Sequence, residues 1–127
     1  WAPIFDNRFL ETCEFFMDKD ELLIRHIRDA IGHIDDYTQG VDETKFNKSA
    51  VIRDAVLRQL EIIGEAARSL SPEGKNTYPG VDWYQIVGIR IRLIHEYFDV
   101  SWSIVWQTVI ADLPELKKKL PRWGFRL

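Results

Sequence analysis

From Gly88 to Phe98 the chain reads Gly-Ile-Arg-Ile-Arg-Leu-Ile-His-Glu-Tyr-Phe, which sets Arg90, Arg92, His95, Glu96 and Tyr97 within eight positions of an otherwise apolar run. Histidine takes or gives a proton near neutral pH. Arginine is permanently charged, and its fork of donors fits a phosphate. Together they supply a general base and an anchor for phosphodiester chemistry, with no metal needed for either role. RNA carries its own nucleophile, the 2′-hydroxyl, so a base for that proton and a cation on the phosphate make a minimal ribonuclease. Spacing alone fits a plainer reading better: Arg92 and Glu96 stand four apart and would pair on a helix, with His95 capping its end.

Other candidate groups are weaker. His26 and His33 are seven apart on one predicted helix face, where Asp29 or Asp36 could add an oxygen ligand to a metal. A solvated face beside Arg25 and Arg28 explains them better, since nothing else with ligand spacing accompanies them. Lys117, Lys118, Lys119, Arg122 and Arg126 form a basic tail opposed by Glu115. That tail suits either a phosphate backbone or a helix end whose cations complement the dipole. Trp123 and Phe125 could stack on bases but read as packing anchors, and Tyr37, Trp102 and Trp106 as core or interface. Phosphate-binding glycine loops and His-Glu-x-x-His are absent.

The elements that must position these residues are helical, because the 3.6-residue period dominates. Asp18 with Glu21 forms a capping box opening a first helix with Leu23, Ile27, Ala30, Ile31, Ile34 and Tyr37 on one stripe, stopped by Gly40. A second, longer helix carries Ile52, Ala55, Val56, Leu60, Ile63, Ala67 and Leu70. Ser71-Pro72-Glu73-Gly74 breaks it, and Tyr78-Pro79-Gly80 prolongs the loop. Asp82 with Gln85 opens a third helix with Trp83, Val87, Ile91, Ile94 and Phe98. Asp99 or Ser101 caps a fourth, which Pro114 should kink or restart. Strand signals are poor. Amphipathic helices with short connections predict an all-α, antiparallel four- to five-helix bundle over residues 17–127. Residues 1–16 fall outside that plan and read as an extension, upstream or artificial in origin.

One straight helix from Asp82 to Phe98 raises a geometric problem. At about 100° per residue, Arg90 and His95 point about 140° apart. Either the helix distorts near His95, or Arg90 reaches round, or a second subunit completes the site.

Composition bounds the function. The chain has 127 residues, 46% hydrophobic and 29% charged, with a net charge of -3, which suits one globular domain and argues against bulk-charge wrapping in nucleic acid. The single cysteine, Cys13, excludes an intrachain disulfide and fits a reducing, cytoplasmic compartment. No apolar run approaches the roughly 18 residues of a membrane span. Residues 1–16 lack the basic start and apolar block of a signal peptide.

Arg90, four residues, His95, Glu96 and Tyr97 match the signature Arg-x-x-x-x-His-x-Tyr, and on them the segment resembles the HepT-like toxins of the HEPN superfamily. Trp83 and Ile86-Val87-Gly88 before it, Phe98-Asp99-Val100 and Ile104-Val105-Trp106 after it, and Leu60 to Ala67, Tyr78-Pro79 and Asp18 to Glu21 upstream extend the likeness across roughly residues 17–120. The resemblance implies a homodimeric helical bundle acting without a cofactor as the ribonuclease toxin of a prokaryotic type VII HEPN/MNT toxin–antitoxin pair. It casts Arg90 and His95 as catalytic, Tyr97 as substrate-binding or regulatory, and Arg92 and Glu96 as supporting. The implied partners are an RNA substrate and a minimal nucleotidyltransferase antitoxin, which can neutralise the toxin by transferring AMP to the motif tyrosine, here Tyr97. One position departs. The family usually has a polar residue, commonly asparagine, directly after the motif arginine, and this chain has Ile91. Ile91 continues an apolar stripe, Val87-Ile91-Ile94, and favours the alternative of a catalytically weakened interaction module that dimerises and binds the nucleotidyltransferase.

Overall fold

The structure, a computed structural model, describes residues 18–96 and 99–121, the side chains of 94–96 excepted. The proposed extension, Cys13, Tyr97, Phe98 and the terminal residues Arg122, Trp123, Phe125 and Arg126 lie outside the described residues. Helix α1 spans Lys19–Tyr37, and Asp18 caps it by accepting a hydrogen bond from the Glu21 amide at 2.7 Å. Of its expected stripe, Ile27, Ala30, Ile31 and Ile34 are buried at three- and four-residue steps, whereas Leu23 is half-buried, Tyr37 is exposed and Ile24 takes a buried place instead. The helix gives out at Tyr37, and Gly40 takes the left-handed conformation (φ 72°) in the turn beyond.

A short helix that the pattern does not disclose, α2 (Glu43–Lys48), follows, and it delivers the fully buried Phe46 to the core. Helix α3 spans Ala50–Ser69, with Ser49 as its cap. It is the main packing partner of α1. The two run antiparallel: Asp20 near the start of α1 bonds Ser71 just past the end of α3, and His33 near the end of α1 meets Gln59 midway along α3 at 3.5 Å.

The expected loop after α3 contains helix. Ser71-Pro72-Glu73-Gly74 does end α3, but it also starts α4 (Pro72–Thr77), with Ser71 as the cap and Pro72 in the first turn, where its missing N–H costs nothing. Asp20 locks this start to α1, accepting from the Ser71 amide at 2.9 Å and from the Ser71 hydroxyl. Gly74 packs so closely that a Cβ there would lie 2.6 Å from the Asp20 carboxyl carbon.

The expected third helix is broken twice. Helix α5 (Trp83–Val87) ends at Gly88, and α6 (Ile89–Leu93) ends before His95. The backbone then forms strand β1 (Ile94–Glu96), paired antiparallel with β2 (Asp99–Val100), Ile94 opposite Val100 and Glu96 opposite Asp99 with an irregularity between. The Ser101 amide closes this hairpin on the Leu93 carbonyl at 2.9 Å. Isoleucine, valine and aromatic residues around this turn favour extended backbone, which local periodicity does not weigh.

The last stretch runs through α7 (Trp102–Gln107), a π-helical turn (Thr108–Asp112) and α8 (Leu113–Lys119). Pro114 cannot donate to the carbonyl four residues back, and the widened turn before it absorbs that loss, so the expected disturbance takes the form of a π-turn. Trp83 and Trp106 are buried, and Trp102 is half-buried against Phe46 with ring centroids 6.3 Å apart. Of the aromatics read as core or interface, Trp106 is core, Trp102 lies at its edge and Tyr37 is exposed. No helix among the described residues is long and apolar enough to cross a membrane.

Candidate active site

Helix α6 owes its position to small and apolar residues on both sides of its contact with α3. Ile89 and Leu93 are buried beneath it, and Gly64 of α3 lets the backbone near Ile86 approach, since a Cβ there would sit 3.6 Å from the Ile86 carbonyl oxygen. With Ile89 inward, Arg90 points outward and is exposed. Its guanidinium makes no hydrogen bond or ion pair among the described residues.

Arg90 stands on the rim of a cleft of about 470 Å³ between α1, α3 and α6. Leu23 and His26 of α1 form one wall, and Arg58, Glu61, Ile62 and Glu65 of α3 the other. The α3 contributors recur at three- and four-residue steps, so one face of the helix lines the cleft. Glu65 is engaged with Arg68 at 3.1 Å, whereas His26, Arg58 and Glu61 have no partner among the described residues. This cleft was not foreseen from sequence. The signal for it was present in the polar face of α3 beside its apolar stripe, but only packing against α1 and α6 turns that face into a wall.

His95 and Glu96 have their backbone in β1, and their side chains lie outside the described residues, as does Tyr97. The helix ends at Leu93, so the angle of about 140° expected between Arg90 and His95 does not apply. For the same reason Arg92 and Glu96 are not helical neighbours. The Arg92 guanidinium turns back to the Gln85 carbonyl over a long 3.5 Å contact instead. Ile91 does not continue a buried stripe: it is 80% exposed, and with Tyr84, 89% exposed, it forms an apolar surface on the side of α5–α6 that carries Arg92.

The remaining candidates separate clearly. His33 stacks on Tyr37, with centroids 6.2 Å apart, while His26 faces the cleft, and no group of three or more metal-ligating side chains occurs among the described residues. Arg28 is buried rather than solvated, and donates to the Lys117 carbonyl at 3.1 Å near the end of α8. The basic tail is more engaged than its sequence suggests, since Lys117 pairs with Asp35 at 2.9 Å and Lys118 with Glu115 at 3.7 Å. Next to the cleft, the Ser71 hydroxyl and amide hold the Asp20 carboxyl below its ordinary value. Burial, with the charges of Glu21 and Asp18, pushes the Tyr78 phenol up.

A family model described as Ribonuclease HepT-like matches residues 27–122. The chain belongs to this family. Among its relatives is "Putative RNase TTE0752" of Caldanaerobacter subterraneus subsp. tengcongensis, 37% identical over 114 residues that cover 90% of this chain and 86% of the relative. Another is "Probable ribonuclease HepT" of Thermococcus cleftensis, 34% identical over 99 residues, which cover 78% of this chain and 90% of the relative. No solved structure matches. Family membership and the helical architecture agree on an all-α bundle of the HEPN type.

Proposed function

We propose that this chain is a ribonuclease that cleaves RNA through Arg90 and His95 and serves as the toxin of a HEPN/MNT toxin–antitoxin pair. The observation that carries it is the exposed guanidinium of Arg90, without a partner among the described residues, at the motif position of a chain that belongs to the ribonuclease HepT-like family. Names of relatives as RNases support the same class of reaction. In this mechanism His95 takes the proton of a 2′-hydroxyl, and the freed oxygen attacks the adjacent phosphorus. Arg90 holds the phosphate and stabilises the charge that builds on it. The P–O5′ bond breaks, the 5′-oxygen leaves with a proton taken from water, and a cyclic phosphate remains on the other fragment. Arg92 and Glu96 are the supporting residues of this reading.

Tyr97 is the proposed acceptor of AMP from a nucleotidyltransferase antitoxin. Phosphate added there would occupy the cation meant for RNA and repel the incoming backbone. A homodimer would cover Tyr84 and Ile91, and the two motifs would meet across its interface. Expression of the chain alone tests the toxin role: growth arrest and RNA cleavage are expected, both lost in His95→Ala and Arg90→Ala. Loss of activity in Arg92→Ala with an active Arg90→Ala would overturn the assignment. Mass spectrometry after co-expression with a nucleotidyltransferase tests Tyr97, and a neutralised complex with unmodified tyrosine would mean occlusion instead.

Ile91 favours a second reading. The position after the motif arginine lacks the usual amide and is highly exposed, which suits a docking module that binds the nucleotidyltransferase without cutting RNA. Equal growth of wild type and His95→Ala, with no RNA cleaved by either, would select it.

A further inference from the structure

The cleft beside Arg90 holds more polar groups than the motif accounts for. Arg58 is exposed, Glu61 is half-buried, and neither has a partner among the described residues although they stand three apart on α3. Pairs at that spacing form readily on helices, so their separation leaves one cation and one carboxylate free in the same groove. Leu23 and Ile62 add an apolar floor between them. The cleft face of α3 runs from Arg58 to Ser69, and at 1.5 Å per residue this makes a trough of roughly 16 Å, longer than a single phosphate contact requires.

We propose that this groove receives the RNA strand next to the scissile bond, with Arg58 on the neighbouring phosphate and the Glu61 carboxylate reading the edge of the adjoining base. The inference rests on the ribonuclease reading of Arg90, which fixes where the strand enters. A guanidinium suits a phosphate through its paired donors. A carboxylate has only acceptors, so it selects a base edge that offers an exocyclic amine, on guanine, cytosine or adenine, over that of uracil, which carries two carbonyl oxygens. Single-stranded RNA displays such edges because its bases are free to splay out onto apolar surface. Charge complementarity thus divides the groove: cations Arg58 and Arg90 for the backbone, Glu61 for the base.

Binding of labelled, non-cleavable 2′-O-methyl oligonucleotides of cytosine, adenine and uracil to the full chain, followed by fluorescence anisotropy, tests this directly. Wild type should bind the cytosine and adenine strands several-fold more tightly than uracil. Arg58→Ala should weaken all three alike, by about tenfold, and reduce the salt slope by about 1. Glu61→Gln, whose amide both donates and accepts, should erase the preference while keeping overall affinity. Both side chains lack partners among the described residues, so unchanged thermal melting is expected and is checked alongside. Absence of a base preference in wild type, a preference that survives Glu61→Gln, or wild-type affinity in Arg58→Ala would each overturn the inference. Wild type that cuts no RNA but binds with the expected Arg58 and Glu61 dependence would refute the catalytic reading alone. Cleavage that is indifferent to both variants would keep that reading and sink this one.

Discussion

One helical turn of α1 separates two regions that use polar residues in opposite ways. At Asp20 every group is engaged: the carboxylate takes both the amide and the hydroxyl of Ser71, Ser71 in turn caps α4 through Gly74, and the Trp83 indole donates to the Lys75 carbonyl at 3.0 Å. From Leu23 onward, across the cleft, His26, Arg58, Glu61 and Arg90 are left without partners among the described residues. The first region ties three helices together and spends its hydrogen bonds on the fold. The second stands at the surface, where water satisfies its charges, so leaving them unpaired costs little stability and keeps them ready for a ligand. Polar residues of the same helices thus divide by whether the fold has already satisfied them, and the proposed ligand contacts all fall in the second group.

The largest expected effect that tests this division is Arg90→Ala. RNA cleavage should fall about a hundredfold or more, while the urea midpoint stays at the wild-type value. A matching loss of stability would mean that Arg90 belongs to the fold after all.

Gly74→Ala should do the reverse. A methyl group pressed against the pinned Asp20 carboxylate should cost about 1–3 kcal/mol in denaturant unfolding, with cleavage per folded molecule unchanged.

Acid adds a smaller effect. The Asp20 carboxyl titrates below its ordinary value of 3.8 in the folded chain, so its contribution is full above that value and is lost as pH falls through the folded value. Asp20→Asn should lower stability at neutral pH by on the order of 0.5–1 kcal/mol, and the gap from wild type should close below about pH 4. A gap that stays constant with pH would assign the effect to shape rather than charge.

Ile91→Asp should have the smallest effect on the fold, within about 0.5 kcal/mol, because the side chain is 80% exposed. Its readout is assembly: sedimentation should show the proposed homodimer weakened. An unchanged dimer would move the interface away from Tyr84 and Ile91.

Much of this molecule is legible from local sequence. The apolar stripes of α1 and α3, and the caps at Asp18 and Asp82, follow from short-range spacing, because a helix brings residues three and four apart onto one face and leaves its first amides to be satisfied nearby. The motif Arg90, His95 and Tyr97 is likewise a property of the string, and with it the family. Tertiary structure alone decided the rest. It ended α6 at Leu93 and turned the chain into a β-hairpin, where periodicity extends the helix to Phe98. It buried Arg28 against the end of α8 and engaged Lys117 with Asp35, partners 89 and 82 residues away in the chain. It also set the α3 face of Arg58 and Glu61 opposite His26 and Arg90. Spacing along a helix says which residues share a face, but what that face meets depends on contacts between segments distant in sequence, and a cleft exists only in such contacts.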